Sequence, residues 1–423
     1  MRGTISCYGA KNFATKAMVV ALLGDSPSRL TNIPCIGDTA LTSEMLSSIG
    51  AQVKLEESSM LIDPTSLHAP HVPRPDSGSN RIPILLLAAL LHRFEEVTVP
   101  SLGGCKIGAR PVDFHVSALR AFGATIEDDG DFLVARRTGQ LKATKIHLPY
   151  PSVGATETCL ILSVLASGRS VITNVASEPE ITALIAMLNL MGAIIYSGPD
   201  RELRVDGVPF LRGTSMPILG DRIEAASLAC LACASDGEIT VKGIRPETLI
   251  NFLPYFQRVG GGVELLESET LRFYRKSAIR PAIMETDVYP GFSTDWQQPF
   301  AIMLTQANGI SLIHETVYEN RFGYLSALNA LGARAQLSQQ CLGGLPCRYK
   351  DGGYNHSAII VGPTPLHGTG AIEIPDLRAG LAYVIAAAVA TGTTTLTNME
   401  LLERGYGDIV SRFATLDIEI NAA

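Results

Sequence analysis

The sequence predicts an α/β protein made of six copies of one βα unit, with apolar helices inside and sheets and amphipathic helices outside. A short β phrase recurs along the chain, at residues 30–32, 97–99, 172–174, 239–241, 313–315 and 396–398. An apolar run precedes each phrase, and an amphipathic helix follows it. A unit copied with a period of roughly 70 residues buries its apolar face against neighbouring copies.

The first helix of each copy is apolar on nearly every side, which favours an interior position. These helices are predicted at residues 15–23, 82–91, 157–166, 223–234, 298–307 and 377–390. The second helices, such as 42–48 and 115–122, are amphipathic and suit an outer layer. The second helix usually ends at a glycine before another strand. These glycines are Gly50, Gly123, Gly192, Gly260 and Gly332, whereas the sixth copy reads Leu416-Asp417.

The length of the chain favours two domains. A chain of 423 residues is too long for one ordinary core, and six copies divide naturally into three and three. The segment 207–220, rich in Gly, Pro and polar residues, separates the third copy from the fourth and is the predicted domain crossing. The Pro-rich segment 63–80 and the Gly-rich segment 342–357 are predicted loops.

Composition and charge argue against several functions. The net charge of −7 makes general nucleic-acid binding unfavourable, because no basic field displaces counterions from a phosphate backbone. The longest apolar runs, 82–91 and 381–390, are too short to cross a bilayer. Strand-like sequence begins directly after Met1, and no secretory signal is visible. We therefore expect a soluble, cytoplasmic protein with no membrane partner.

The eight cysteines form no disulfide framework. Cys230 and Cys233 form a CxxC within an apolar helical run, where core packing is favoured over metal or redox chemistry. Cys341 and Cys347 flank a Gly-rich loop; a disulfide between them is conceivable, but a reducing compartment disfavours it.

The segment 103–115 departs most from the repeat. Cys105 follows two glycines and is flanked by Lys106 and Arg110. Positive neighbours stabilise a thiolate, so this thiol is a candidate nucleophile or acid at neutral pH. The alternative is a surface loop with an unreactive cysteine.

Two predicted helix starts suit anions. Lys11 and Asn12 stand ahead of the first apolar helix, where free backbone N–H groups and the helix dipole add to the lysine charge. The alternative is ordinary capping by Asn12. Residues 152–156 offer hydroxyl and N–H groups at another helix start, where Ser152 is alternatively a simple N-cap.

Basic residues recur beside the boundaries between copies. They are Arg81, Arg321, Arg378 and Arg404. Each alone is interpreted as a solvated charge, but together they could converge on one cleft and bind a multiply anionic ligand. Asp295 begins an inner helix, and a carboxylate in a basic cleft is a candidate general base. Its alternative role is an N-terminal cap, as for Asp221.

These residues together resemble the enolpyruvyl transferase family, from about Gly3 to the C-terminus. The motifs that carry the resemblance occur in the family's order. They are Gly-Ala-Lys-Asn at 9–12, Gly-Gly-Cys-Lys-Ile-Gly-Ala-Arg-Pro-Val-Asp at 103–113, Ser-Val-Gly-Ala-Thr at 152–156, Glu-Pro-Glu at 178–180, Asp-Arg-Ile-Glu at 221–224, Thr-Asp at 294–295, Glu-Thr-Val-Tyr-Glu-Asn-Arg at 315–321, Pro-Asp-Leu-Arg at 375–378 and Arg-Gly-Tyr at 404–406. The second motif is the most specific.

The resemblance implies a two-domain inside-out α/β barrel of six βα repeats, with the active site in the interdomain cleft. One domain would span 11–219 and carry the Cys105 loop; the other would comprise 1–10 and 220–423 and carry Asp295 and Arg404. The implied reaction moves the enolpyruvyl group of phosphoenolpyruvate to the 3-hydroxyl of UDP-N-acetylglucosamine, through a tetrahedral ketal, and releases phosphate. It belongs to peptidoglycan biosynthesis, is inhibited by fosfomycin and accompanies domain closure. No metal or organic cofactor is implied.

The resemblance also implies roles for individual residues. Asp295 matches the base at the acceptor hydroxyl, and Cys105 matches the proton donor at the methylene carbon. The cations around phosphoenolpyruvate match Lys11, Arg81, Arg110, Arg321, Arg378 and Arg404, of which Lys11 and Arg404 are assigned to the catalytic group. Sugar-side contacts match Asn12, Thr294 and Val317. The loops that hold the uridine diphosphate match Arg110, Pro111, Asp113, Ser152, Val153 and Gly154.

Two departures from the family pattern leave the acceptor open. Tyr150-Pro151 precedes Ser152, and Trp296-Gln297-Gln298 follows Asp295. A relative that uses another uridine nucleotide, such as UMP in nucleoside-antibiotic biosynthesis, would look similar, although the sugar-side positions favour the UDP-sugar. A transferase for shikimate 3-phosphate shares the fold, but its signature motifs are absent. A regulatory homologue without activity is disfavoured because the catalytic group is intact. The sequence does not fix the oligomeric state.

Overall fold

A computed structural model of the chain describes residues 1–103, 111–350, 352–375 and 377–421, apart from the side chains of 377–379. Contacts divide these residues into two compact units. The terminal unit comprises residues 1–8 and 220–421, and the inserted unit comprises residues 9–103 and 111–219. Each has its own hydrophobic core.

The chain opens with strand β1 (Arg2–Ser6) of the terminal unit and then forms three copies of the βα unit in the inserted unit. The first copy contains α1 (Lys11–Ala21), β2 (Ser28–Thr31), α2 (Gly37–Ser48), β3 (Gln52–Glu56) and β4 (Ser59–Asp63). The second contains α3 (Pro83–Leu90), β5 (Glu96–Pro100), α4 (Asp113–Ala121), β6 (Ala124–Asp128) and β7 (Phe132–Arg137). The third contains β8 (Lys145–His147), α5 (Val153–Ser163), β9 (Arg169–Thr173), α6 (Pro179–Leu190), β10 (Ile194–Ser197) and β11 (Leu203–Asp206), and β12 (Ser215–Pro217) follows it.

The terminal unit contains the other three copies. The fourth contains α7 (Arg222–Ala234), β13 (Glu238–Lys242), a 3-10 helix (Pro246–Leu249), α8 (Leu253–Arg258), β14 (Gly261–Glu267) and β15 (Thr270–Arg275). The fifth contains β16 (Ile283–Glu285), a 3-10 helix (Thr294–Trp296), α9 (Gln297–Leu304), β17 (Gly309–His314), α10 (Leu325–Ala330), β18 (Arg334–Ser338) and β19 (Ser357–Gly362). The sixth contains β20 (Ala371–Glu373), α11 (Leu377–Val389), β21 (Thr395–Thr397), α12 (Met399–Tyr406) and α13 (Ile409–Ala414).

Among the described residues, four of the six sheets repeat one pattern. A leading strand runs parallel to the first strand of a copy, and an antiparallel hairpin completes the sheet, as in the orders β12-β2-β4-β3, β8-β9-β11-β10, β1-β13-β15-β14 and β16-β17-β19-β18. The leading strand of the first copy is β12, which comes from the end of the inserted unit, with Ser215 opposite Arg29. The leading strand of the fourth copy is β1, with Ile5 opposite Val241.

The predicted ends of the second helices at glycine are confirmed. After five second helices the glycines have positive φ, namely 98° at Gly50, 102° at Gly123, 106° at Gly192, 115° at Gly260 and 101° at Gly332. Only a residue without Cβ adopts this conformation at no steric cost. In the sixth copy Asp417 takes the position with φ 54°, because a short polar side chain is the next best tolerated there.

The inner helices are buried as predicted, but several begin earlier than the apolar pattern indicated. Every residue of α3 and α7 is buried. Helix α1 begins at Lys11, four residues before the predicted start, and α5 begins at Val153 rather than 157. The first turns of α1 and α5 contain polar residues or glycine and do not continue the apolar run, so periodicity alone misses them.

The predicted loops contain no helix or named strand among the described residues between β4 and α3 or between β18 and β19. In the described part of the chain, no helix has both the length and the apolar character needed to cross a membrane.

Candidate active site

Lys11 and Asn12 lie in the first turn of α1. The N-cap is Ala10, so the interpretation of Asn12 as a cap is wrong. The Nζ atom of Lys11 lies 2.6 Å from a carboxylate oxygen of Asp38, in the first turn of α2, and both side chains are largely buried. The lysine charge therefore lies at the N-terminal ends of two helices, where an anion is also favoured by the backbone N–H groups.

The predicted diphosphate residues that the structure describes lie at the starts of α4 and α5, which pack against each other. Asp113 is the first residue of α4, and Ser152 caps α5, since its Oγ accepts the Ala155 N–H at 3.4 Å. Gly154 faces the His115 ring: a Cβ at Gly154 would lie 2.8 Å from Cε1. The capping interpretation of Ser152 is confirmed, and the absence of a side chain at Gly154 is what lets the two helix starts approach.

Asp295 lies in the short 3-10 helix before α9. Ser293 caps this turn by accepting the Asp295 N–H at 3.3 Å, so the interpretation of Asp295 as an N-cap is wrong. Instead, its carboxylate pairs with Arg321 Nη2. Arg321 is only 2% exposed, so it is not a solvated charge.

Glu315 joins the residues around this pair; it belongs to the motif at 315–321 but was assigned no role from the sequence. One carboxylate oxygen accepts the Thr294 hydroxyl at 2.8 Å and the Gln297 amide at 3.0 Å. The other accepts the Val317 N–H at 2.8 Å and the Tyr318 N–H at 3.1 Å. Burial raises the pKa of Glu315, against the opposing effect of Arg321 and these hydrogen bonds. An acidic residue directly after strand β17 was the available signal.

The start of α7 shows the roles of two further residues, Asp221 and Arg222. Asp221 is a helix cap, as its alternative interpretation held, because its carboxylate accepts the N–H groups of Ile223 at 2.8 Å and Glu224 at 3.2 Å. The next residue, Arg222, is buried with its guanidinium 5.1 Å from the centre of the Trp296 ring.

The structure thus assembles local groups of predicted residues within each unit. In the inserted unit these are Lys11 with Asn12, and Asp113 with Ser152, Val153 and Gly154. In the terminal unit they are Thr294, Asp295, Val317 and Arg321. Arg81 lies just before α3 and Arg404 lies in the last turn of α12, both half-buried. Pro111 lies just before α4, and Arg378 is the second residue of α11. Cys105 and Arg110 lie outside the described residues, as does the Arg378 side chain.

The likeness to solved structures defines the class of fold. The enolpyruvyl transferase NikO from Streptomyces tendae superposes with a TM-score of 0.84 at 22% identity, covering 98% of this chain and 94% of that one. The predicted enolpyruvyl transferase-like fold is confirmed. The family model described as EPSP synthase (3-phosphoshikimate 1-carboxyvinyltransferase) matches residues 1–413. The chain belongs to this family of carboxyvinyl transferases.

Full-length relatives are more similar in sequence. A protein named UDP-N-acetylglucosamine 1-carboxyvinyltransferase from Protochlamydia amoebophila (strain UWE25) is 42% identical over 430 residues, which cover 100% of this chain and 92% of the relative. The protein of the same name from Chlamydia pneumoniae is 44% identical over 424 residues, which cover 99% of this chain and 92% of the relative. The resemblance read from the sequence motifs is confirmed.

Proposed function

We propose that this protein is a cytoplasmic enzyme that transfers the enolpyruvyl group of phosphoenolpyruvate to the 3-hydroxyl of UDP-N-acetylglucosamine and so supplies a peptidoglycan precursor. The names of the full-length relatives support this acceptor. The observation that carries the proposal is the Asp295–Arg321 ion pair. Beside it, the Thr294 hydroxyl and the Val317 N–H are fixed by hydrogen bonds to the Glu315 carboxylate. A base next to fixed polar groups is what a hydroxyl acceptor needs.

In the proposed addition step, Asp295 accepts the proton of the acceptor hydroxyl while that oxygen bonds to C2 of phosphoenolpyruvate. The electron pair of the C2–C3 double bond then takes a proton at C3, and Cys105 is the proposed donor. Arg321 orients the carboxylate of Asp295, since the two are paired and the guanidinium is buried. Orientation of a base within hydrogen-bonding reach is a large part of its catalytic effect.

In the proposed elimination step, C3 gives a proton to the Cys105 thiolate left by the addition, the double bond re-forms and the C2–O bond to phosphate breaks. The phosphate and carboxylate of phosphoenolpyruvate concentrate negative charge, which cationic groups stabilise as it builds up on the leaving phosphate. Lys11, Arg81, Arg110, Arg321, Arg378 and Arg404 are the proposed cations. Lys11 is already oriented by Asp38, at the N-termini of α1 and α2.

The proposed nucleotide contacts come from the starts of α4 and α5. Backbone N–H groups at a helix start bind phosphate oxygens without added side-chain charge. Pro111, Asp113, Ser152, Val153 and Gly154 are the proposed residues around the uridine diphosphate, together with Arg110. Asn12, Thr294 and Val317 are proposed on the sugar side.

A second candidate acceptor is shikimate 3-phosphate, because the matching family model carries the name of that activity. Phosphate release from phosphoenolpyruvate distinguishes the acceptors when UDP-N-acetylglucosamine, UMP and shikimate 3-phosphate are each supplied alone. We expect turnover with the UDP-sugar alone. Turnover with UMP or shikimate 3-phosphate instead would replace the proposed acceptor. If none of the three acceptors supported phosphate release, the proposed enzymatic activity would be overturned.

A further inference from the structure

The terminal unit brings one histidine and two cysteines together. His314 is the last residue of β17, whereas Cys341 and Cys347 belong to the loop between β18 and β19. A ring nitrogen of His314 and the two Sγ atoms all lie within 4.8 Å of one another. Tetrahedral Zn²⁺ with ordinary bond lengths would separate such ligand atoms by about 3.6–3.8 Å. A shift of about 1 Å in the loop that carries the two half-buried cysteines reaches that geometry from separations of up to 4.8 Å.

His314 is oriented as a metal ligand commonly is. Its Nδ1 lies 3.0 Å from a carboxylate oxygen of Glu285, and the side chain is fully buried. Its Nε2 has no hydrogen-bond partner among the residues that the structure describes. Histidine ligands typically donate their second ring N–H to a carboxylate, which fixes the tautomer and leaves the other nitrogen for the metal. A buried nitrogen without a partner is otherwise costly.

The loop that carries the cysteines is fastened to the same carboxylate. The Leu345 N–H donates to Glu285 at 2.8 Å. A Cβ at Gly343 would overlap both the Glu285 carboxylate and the His314 ring, so glycine is required for this close approach. The backbone path therefore brings Cys341 and Cys347 beside His314 without depending on an ion.

We propose that a ring nitrogen of His314, Cys341 Sγ and Cys347 Sγ form a structural site for a soft divalent cation of the Zn²⁺ class. Two thiolates and an imidazole are a donor set that such ions prefer, and a water molecule completes the tetrahedron. The ion fastens the loop between β18 and β19 to the end of β17. Cys347 Sγ also lies 3.9 Å from the carbonyl oxygen of Glu315, whose carboxylate accepts the Thr294 hydroxyl and the Val317 N–H, so the ion stabilises the chain directly after β17. It takes no part in the transfer reaction.

The test uses the full-length chain, reduced, treated with a chelator and titrated with Co²⁺ and then Zn²⁺. We expect one equivalent of Co²⁺ with thiolate-to-metal charge-transfer bands and the intense visible bands of tetrahedral Co²⁺, and displacement by Zn²⁺. Cys341→Ser and Cys347→Ser should each remove most of the charge-transfer intensity. Cys35→Ser changes an exposed cysteine outside the site and should bind as wild type does. Glu285→Gln should weaken Zn²⁺ binding by about 10–100-fold.

Zn²⁺ should also raise the melting temperature of the wild type but not that of Cys341→Ser. The wild-type shift tests the site even if a variant is poorly folded. The proposal is overturned by charge-transfer bands that persist in both cysteine variants, or by a wild-type chain that binds no Zn²⁺ at micromolar concentration. A disulfide between Cys341 and Cys347 in protein purified under reducing conditions would also overturn it. None of these readouts measures enolpyruvyl transfer, so their outcome is independent of whether the proposed activity is correct.

Discussion

At the scale of single residues, Asp295 is the proposed base, and different residues position it and its surroundings. Ser293 caps the 3-10 turn, which releases the Asp295 carboxylate from capping, and Arg321 orients that carboxylate. Glu315 accepts four hydrogen bonds and holds the neighbouring backbone and side chains in place. A carboxylate that is oriented by a cationic side chain and not used as a cap is suited to accept a proton.

The change Asp295→Asn tests this assignment. It keeps the size of the side chain and its ability to accept a hydrogen bond from Arg321, but removes the basic oxygen. We expect kcat to fall by about 10²–10⁴-fold with little change in the affinity for UDP-N-acetylglucosamine. Steady-state phosphate release and calorimetric binding measure the two quantities. Asp287→Asn is the matched control, since Asp287 is half-buried in the same unit and accepts the Val288 N–H at 2.8 Å. A kcat within a few-fold of wild type would exclude Asp295 as the base.

Glu157 is a buried carboxyl group within α5 that the proposed mechanism does not use. Burial raises its pKa to about 7, with Lys16 opposing the shift and Glu178 and Glu180 adding to it. The folded state therefore holds a proton that the unfolded chain releases at lower pH. The raised pKa of Glu157 therefore lowers the free energy of unfolding. This loss is absent below the pKa of the unfolded chain, grows as the pH rises towards 7 and is constant above that value.

We therefore expect Glu157→Gln to reduce the pH dependence of stability. Between pH 5 and pH 8 the wild type should lose roughly 2–3 kcal/mol of unfolding free energy that the variant keeps. Urea denaturation at both pH values measures it. Glu127→Gln removes an exposed carboxylate of the same unit and should change the profile little. Parallel wild-type and Glu157→Gln curves would mean that Glu157 titrates as an exposed group does.

At the scale of elements, the approach of α4 and α5 depends on one glycine. A Cβ at Gly154 would lie 2.8 Å from Cε1 and 3.0 Å from Nε2 of His115. His115 has little room to yield, because it is buried and its Nδ1 lies 2.8 Å from the Thr158 hydroxyl. The two helix starts proposed to hold the uridine diphosphate are therefore packed closely through this contact.

Gly154→Ala should move α5 away from α4. We expect a loss of about 1–3 kcal/mol of stability by overpacking and a higher KM for UDP-N-acetylglucosamine, with a smaller effect on the KM for phosphoenolpyruvate. Gly323→Ala is the control, since a Cβ there meets no atom within 4 Å. Urea denaturation and steady-state kinetics provide the measurements. An unchanged KM for the nucleotide sugar would separate this helix pair from nucleotide binding.

The elements also show what a sequence can and cannot predict. The helix ends at glycine and the buried inner helices follow from local conformational preference and apolar pattern, so they were predictable. The earlier starts of α1 and α5 were not, because polar residues or glycine interrupt the apolar run in their first turns. The role of Glu315 depends on where β17 ends relative to the turn at 294–296, and the pairing of His314 with Glu285 depends on the β16–β17 register. Such contacts between distant segments leave no local pattern.

At the scale of the whole molecule, the two chain ends of the terminal unit meet at Arg412. Its guanidinium donates to the Ser6 carbonyl at 2.8 Å, lies 3.8 Å from the centre of the Tyr8 ring and pairs with the buried Glu224 carboxylate at 2.5 Å. Helix α13 is thereby fastened to β1 and α7. The inserted unit has a separate core and includes none of these residues.

Arg412→Ala should therefore destabilise one unit selectively. The change leaves a buried carboxylate without its guanidinium partner, which costs about 3–5 kcal/mol in comparable buried pairs. Hydrogen exchange followed by mass spectrometry should show lost protection in β1, β13 and α7, while the apolar helices α1, α3 and α5 remain protected. Arg245→Ala breaks an exposed pair with Glu269 in the same unit and should leave both patterns unchanged. Equal loss of protection in both units would show that they unfold as one cooperative body, because the free energy of the Arg412–Glu224 pair would then be shared by the inserted unit.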